Sequence, residues 1–425
     1  MALRFPDGFL WGSATASHQV EGGNGDSDWA AWEREPGRIV DGTRAGAAAM
    51  WWAGRAEEDL SRAAELGQNA HRMSLEWSRL EPSPGVFDLT AFDRYRAILA
   101  HARSLGMATC VTVNHFTLPK WATEKGSWRD RGLVDRFTSF ARAAVRSLDD
   151  VVDLWATLNE PNVLALMGYA NGRWPPGEQS SRAYAKALIN LLRAHAAGYR
   201  AMKAERADAR VGIVLSLPMF APWRPSRADR GAARGQDWIF NGAMISALQH
   251  GRVPPPVSLR GVAIEGLQGA YDWIGLNYYG CYRVKFDATA PQRAFGVHVD
   301  AGNIKTATSD WGAPYPAGLT AQLERLAALG VPLFVTENGI FDNDDRVRPR
   351  YLLDHVRAVH DAIAKGVDVR GYFHWSLVDN FEWAEGWSTR FGLLALDLAT
   401  QARTVRASAE IYARICASNG VPDDP

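Results

Sequence analysis

Leu154-Trp-Ala-Thr-Leu-Asn-Glu-Pro-Asn162 is an apolar run that ends abruptly in an amide, a carboxyl and a proline. An uninterrupted apolar stretch suits a strand buried on both faces of a parallel sheet, and a proline, with no N–H to give, stops the ladder. The strand thus delivers Asn159 and Glu160 to its carboxyl-terminal end, which makes Glu160 a candidate catalytic acid. Taken alone, Asn-Glu-Pro after a core strand is ordinary turn chemistry. The segments on either side of it change that reading.

Similar runs recur along the chain. Phe9–Val20 opens as a strand with Gln19 near its end, followed by strand patterns at Asn69–Trp77, with Arg72 inside, and Met107–His115. Beyond the 153–160 run come Arg210–Leu217, Asp272–Tyr279, Val331–Glu337 and Val369–Trp375. Between them lie stretches with helical periodicity, at Ala53–Leu66, Leu89–Ser104, Leu133–Ser147 and Tyr184–Glu205, the first two stopped by Gly67 and Gly106. Eight strand-plus-helix units without hairpin spacing predict an α/β chain closed as a (β/α)8 TIM barrel, a single domain over residues 1–425 with extended loops at the carboxyl ends of its strands. Residues 224–236, rich in Arg, Asp, Ala and Gly, Val253-Pro-Pro-Pro-Val257, and 286–310, with weak strand character, read as surface loops.

Lys plus Arg equals Asp plus Glu at 47 each, so no charge excess favours nucleic acid or an anionic membrane. No uncharged apolar run reaches membrane-spanning length, and the first residues lack a basic-then-apolar leader. Cys110, Cys281 and Cys416 are scattered and odd in number, which gives neither a disulfide framework nor a metal spacing; structural thiols in the cytoplasm are expected. Seventeen tryptophans and twelve tyrosines offer flat rings with polar tips, suited to sugar faces as well as to protein cores.

Function is legible in where the polar residues fall. Gln19, His115, Asn159, Glu160, Asn277, Glu337 and Trp375 all sit at predicted strand ends, the face on which such barrels carry their active sites. Glu160 and Glu337 then face one another across a shared mouth, the arrangement glycoside hydrolysis requires: one protonates the departing oxygen while the other attacks the anomeric carbon or activates water. Arg72, if it reaches Glu337, favours the ionised nucleophile, and repulsion between the carboxylates holds the proton on Glu160. Gln19, His115, Asn159, Glu382 and the indole of Trp383 suit sugar hydroxyls, and Trp375 offers a stacking face. Metal binding, the other use of such a His and Glu set, lacks both a His-Glu-x-x-His run and a close His pair, so neither metal nor other cofactor is expected.

These residues carry a resemblance to glycoside hydrolase family 1, the β-glucosidases and β-galactosidases built on a (β/α)8 barrel. It extends from Phe9-Leu-Trp-Gly-Ser-Ala-Thr-Ala-Ser17 to Arg390-Phe-Gly-Leu393 and includes Thr157-Leu-Asn-Glu-Pro161 and Thr336-Glu-Asn-Gly339. The resemblance implies a retaining double displacement on terminal β-D-glucosides, with β-galactosides and β-fucosides as further substrates, Glu160 as acid/base and Glu337 as nucleophile. It places Gln19, His115, Asn159, Glu382 and Trp383 on the sugar, Trp375 as its platform, Arg72 and Tyr279 beside the nucleophile, and Asn277 and Phe391 in the pocket lining. Glu382 and the lack of a nearby Lys-Tyr pair imply unphosphorylated glycosides, small or oligosaccharide. Retention requires carboxyls about 5–5.5 Å apart.

Two departures fall where the leaving group binds: His115-Phe116 stands in place of the family's His-Trp, and Asp310-Trp-Gly-Ala-Pro-Tyr315 disturbs its Gly-Trp. Two alternatives use the same residues: a transglycosidase, in which an alcohol or sugar resolves the glycosyl-enzyme, and a non-catalytic sugar-binding module.

Overall fold

The computed structural model describes residues 3–299 and 311–421. Its centre is a closed barrel of eight strands: β1 Leu10–Ala14, β2 Ala70–Ser74, β3 Ala108–Asn114, β4 Leu154–Asn159, β5 Val211–Ser216, β6 Trp273–Tyr278, β7 Leu333–Asn338 and β8 Val369–Trp375. Each strand pairs in parallel with its sequence neighbours, and β8 returns to β1. Every residue of β2, β4, β6 and β7 is buried, which is why these strands read as apolar runs without alternation.

A helix follows each strand: α1 Ala56–Glu65, α2 Leu89–Ser104, α3 Gly132–Leu148, α4 Ser181–Glu205, α5 Ala243–His250, α6 Pro316–Leu326, α7 Arg348–Ala364 and α8 Ala407–Ser418. Capping chemistry sets their starts. Asp88 accepts from the backbone N–H groups of Thr90 and Ala91 to open α2, and Ser180 accepts from Ala183 N to open α4. Along α3, Leu133, Phe137, Phe140, Ala141, Ala144, Val145 and Leu148 recur at three- and four-residue spacing and form its buried face.

Two expectations are corrected. Gln19 does not end β1; it lies on the single turn Ser17–Val20 beyond it. The 224–236 stretch is not a loop but the helix Arg227–Asp237, opened by Ser226 and packed through Ala232 and Ala233 against Val284. Its composition conceals so narrow an apolar face. That helix lies on a three-stranded sheet, Met219–Pro222, Cys281–Phe286 and Gly296–Val299, which carries the weak strand character expected after Phe286. Residues 300–310 of that expectation lie outside the described ones. Of Val253-Pro-Pro-Pro-Val257, Val253 closes the short strand Arg252–Val253 and residues 254–257 turn over the surface.

All three cysteines are buried and unpaired. Burial pushes the Cys110 thiol up to about 12, which removes its nucleophilicity. No helix among the described residues is long and apolar enough to cross a membrane.

Candidate active site

The carboxyl end of β4 is a sharp corner. Glu160 has φ 43° and ψ 59°, the left-handed region that a non-glycine residue occupies only at a cost of about 1–3 kcal/mol, and Pro161 begins the short helix Pro161–Ala165. Glu160 N still donates to Val214 O at 2.9 Å, so the corner is pinned to β5. Asn277, near the end of β6, donates through Nδ2 to Glu160 Oε1 at 2.9 Å and to Asn159 Oδ1 at 3.1 Å. Its own Oδ1 accepts from Thr336 Oγ1 at 2.7 Å, which fixes which end of the amide faces the carboxyl.

Glu337, on β7, is held from two sides. Arg72 Nη1 donates to its Oε1 and Tyr279 OH to its Oε2, each at 2.6 Å. Arg72 is itself held at every nitrogen: Nε donates to Thr112 Oγ1, Nη1 also to Thr336 O, and Nη2 to Asn159 Oδ1 at 2.6 Å. The β7 loop can approach β8 because residue 339 is glycine. A Cβ there would lie 2.1 Å from Trp375 O.

The two carboxyls differ in protonation for identifiable reasons. Burial, and then the charge of Glu337, raise Glu160 from 4.5 to about 8, with the Asn277 hydrogen bond acting in the other direction. Burial raises Glu337 too, but the Arg72 charge and the hydrogen bonds from Tyr279 and Arg72 oppose it. The shared proton therefore resides on Glu160, and Glu337 carries the charge.

Around this pair the remaining groups form a polar rim. Gln19 Nε2 donates to Phe381 O at 2.9 Å and to Glu382 Oε2 at 3.2 Å, and Asn380 Nδ2 donates to the same Glu382 oxygen at 2.8 Å. Burial raises Glu382 to about 8, against the Asn380 hydrogen bond. Asn159 Nδ2 donates to His115 Nε2 at 3.0 Å, which leaves the ring proton on Nδ1. Burial, then the Arg72 charge, hold His115 well below its ordinary pKa, so the ring is neutral. Gln19 Oε1 and His115 Nδ1 are buried without a hydrogen-bond partner, one an acceptor and one a donor. A polyhydroxylated ligand supplies complements to both.

The His115 ring runs nearly parallel to Trp375 and Trp383, at centroid distances of 6.0 Å each. Phe116, with φ 74°, packs on Trp174 and Trp383. Phe391 belongs to an outer aromatic group with Trp311 and Phe341, 6.1 Å from Tyr279. The twelve residues singled out in the sequence thus gather at the carboxyl ends of the strands. Sequence reasoning missed Thr112, Thr336 and Asn380. Thr336 stands inside a motif already singled out and Asn380 two residues before Glu382; nothing local marks Thr112.

A closed parallel barrel carrying two buried carboxyls and unmet hydroxyl partners at its carboxyl rim defines an enzyme of the α/β-barrel class. The family model described as Glycosyl hydrolase family 1 matches residues 1–421. The chain belongs to that family and is a glycoside hydrolase. It is 34% identical to beta-glucosidase A of Thermotoga maritima over 99% of each chain, and 33% identical to a beta-galactosidase of Sulfolobus acidocaldarius over 99% of this chain and 97% of that one. The solved beta-glycosidase from Pyrococcus horikoshii superposes with a TM-score of 0.92 at 36% identity, covering 100% of this chain and 97% of that one.

Proposed function

We propose that the chain, acting as one catalytic domain over residues 1–425, is a retaining β-glycosidase that removes terminal β-D-glucosyl units and also accepts β-galactosides and β-fucosides. The observation that carries this is the asymmetry of the carboxyl pair: Glu337 is held ionised by Arg72 and Tyr279 while Glu160 keeps a proton. In the first step a Glu337 oxygen bonds to the anomeric carbon as the glycosidic C–O bond breaks, and Glu160 gives its proton to the departing oxygen. Esterification removes the charge that raised Glu160, so its pKa falls and it becomes a base. Glu160 then takes a proton from water, whose oxygen displaces the Glu337 carboxylate with a second inversion. Net retention follows, and it requires a carboxyl separation of about 5–5.5 Å.

The hydroxyl-binding rim supports a sugar in this place, with Gln19, His115, Asn159, Glu382 and Trp383 as its contacts and Trp375 beneath its apolar face. A buried Glu382 disfavours a 6-phosphate, so unphosphorylated glycosides are the substrates. The names of the relatives, beta-glucosidase and beta-galactosidase, supply the two sugars. The unpaired thiols fit a cytoplasmic enzyme.

The test is Glu337→Gly on an aryl β-glucoside. Turnover is expected to vanish, and azide should restore it with a glycosyl azide of the opposite anomeric configuration. A variant that still turns over without azide removes the assignment.

A further inference from the structure

Next to the sugar-binding rim, with His18 in its wall, lies a cavity of about 270 Å³. It is walled by the glycine-rich turn of residues 22–25 and by His18, Glu33, Arg34 and Arg44. His18 is 1% exposed and stacks on Trp383 at 6.0 Å and 11°. Asn24 Nδ2 donates to His18 Nδ1 at 3.0 Å, which leaves the ring proton on Nε2. That atom is buried and has no hydrogen-bond partner. The facing group is Glu33, whose Oε2 stands 3.7 Å away, beyond hydrogen-bond reach, and accepts from Ala45 N at 3.0 Å.

A buried donor and a half-buried acceptor that stand 3.7 Å apart without bonding to each other are both complementary to one group placed beside them that accepts and donates, a hydroxyl. A bare anion does not fit there, because it would meet the Glu33 carboxylate. At the exposed side of the cavity, Arg34 and Arg44 carry guanidiniums that form no ion pair with the described residues, so a carboxylate fits there. The volume lies below the roughly 300–1,000 Å³ of sites for drug-sized ligands and suits a molecule of few carbons.

We propose that this cavity binds a small hydroxy acid, whose hydroxyl accepts from His18 Nε2 and donates to Glu33 while its carboxylate pairs with Arg34 and Arg44. The Glu33 carboxylate repels the acid end of the ligand and the two guanidiniums attract it, which fixes the ligand's orientation. The His18 ring stacks on Trp383, so the occupied cavity adjoins the sugar site, and none of the residues assigned to the sugar lines it.

The test is calorimetric titration of the full-length enzyme with glycerate and with lactate, alongside acetate, which lacks the hydroxyl, and glycerol, which lacks the carboxylate. Saturable binding of a hydroxy acid, with both controls at least about tenfold weaker, is expected, since each lacks a charge-assisted or buried hydrogen bond. His18→Phe, which keeps the ring stack but removes the donor, should weaken glycerate by about tenfold or more. The surface double variant Arg34→Ala/Arg44→Ala should do likewise and does not depend on His18→Phe folding. Acetate binding as tightly as glycerate, glycerol binding as tightly, affinity unchanged in the double variant, or no saturable heat with either acid would each overturn the proposal.

Discussion

Arg72 on β2 and Glu337 on β7 form a fully buried ion pair, Nη1 to Oε1 2.6 Å, while the other arm of the same guanidinium holds Asn159. One planar cation thereby aligns the candidate nucleophile with the residue next to the candidate acid. Arginine suits this place because its fork makes both bonds from a rigid plane.

Arg72→Met should remove the charge that keeps Glu337 ionised and leave it to protonate in its buried site. By analogy with loss of one preorganised electrostatic donor, kcat on an aryl β-glucoside should fall by about 10²–10³-fold. Steady-state kinetics checks this, and a loss smaller than tenfold would mean that Arg72 is only structural.

Tyr279→Phe deletes the 2.6 Å hydrogen bond to Glu337 Oε2, one of the contacts that lower the pKa of that carboxyl. With it gone, Glu337 takes up its proton at higher pH. The acidic limb of the kcat/KM profile should therefore move upward in pH while the basic limb, set by the acid, moves less. Profiles of the two enzymes over the same buffers decide the point.

The proton on Glu160 has a consequence for stability. Its folded pKa of about 8 lies above the ordinary 4.5, so between those values the folded chain binds a proton that the unfolded chain lacks, and stability falls as pH rises. Glu160→Gln cannot titrate and escapes this loss. Its unfolding free energy relative to the parent should rise from pH 4.5 to pH 8 by an amount on the order of a few kcal/mol and then level off, and its melting temperature should rise with it. Thermal melts across that range that stay parallel would contradict the placement of the proton.

Gly339→Ala would set a methyl 2.1 Å from Trp375 O, and backbone on both sides leaves little room to yield. Overpacking of this kind costs about 1–3 kcal/mol. Because Glu337 and Trp375 flank the contact, kcat should fall together with the melting temperature. Unchanged activity in a destabilised protein would show that the approach serves folding alone.

Much of the fold was legible because local patterns carry it. The β8 strand Val369–Trp375 and the α2 helix Leu89–Ser104 coincide with the expected bounds. A buried strand is a continuous apolar run, and glycine stops after helices are local chemistry. The helix Arg227–Asp237 was not legible, because its buried face consists of two alanines and the ion-paired Asp229 amid Arg and Gly. Gln19 was placed on the wrong element for a related reason: a single helical turn has no period to detect.

By itself the sequence determined the strand and helix alternation, the residues that stand at the carboxyl ends of the strands, and the two Glu motifs, since each depends on neighbours within a few positions. Only the tertiary structure decided how those groups are charged and oriented. Arg72 meets Glu337 across 265 residues, Asn277 reaches Glu160 across 117, and Gln19 reaches Glu382 across 363. Protonation depends on burial and on the nearest charges in space, and those are set when the barrel closes.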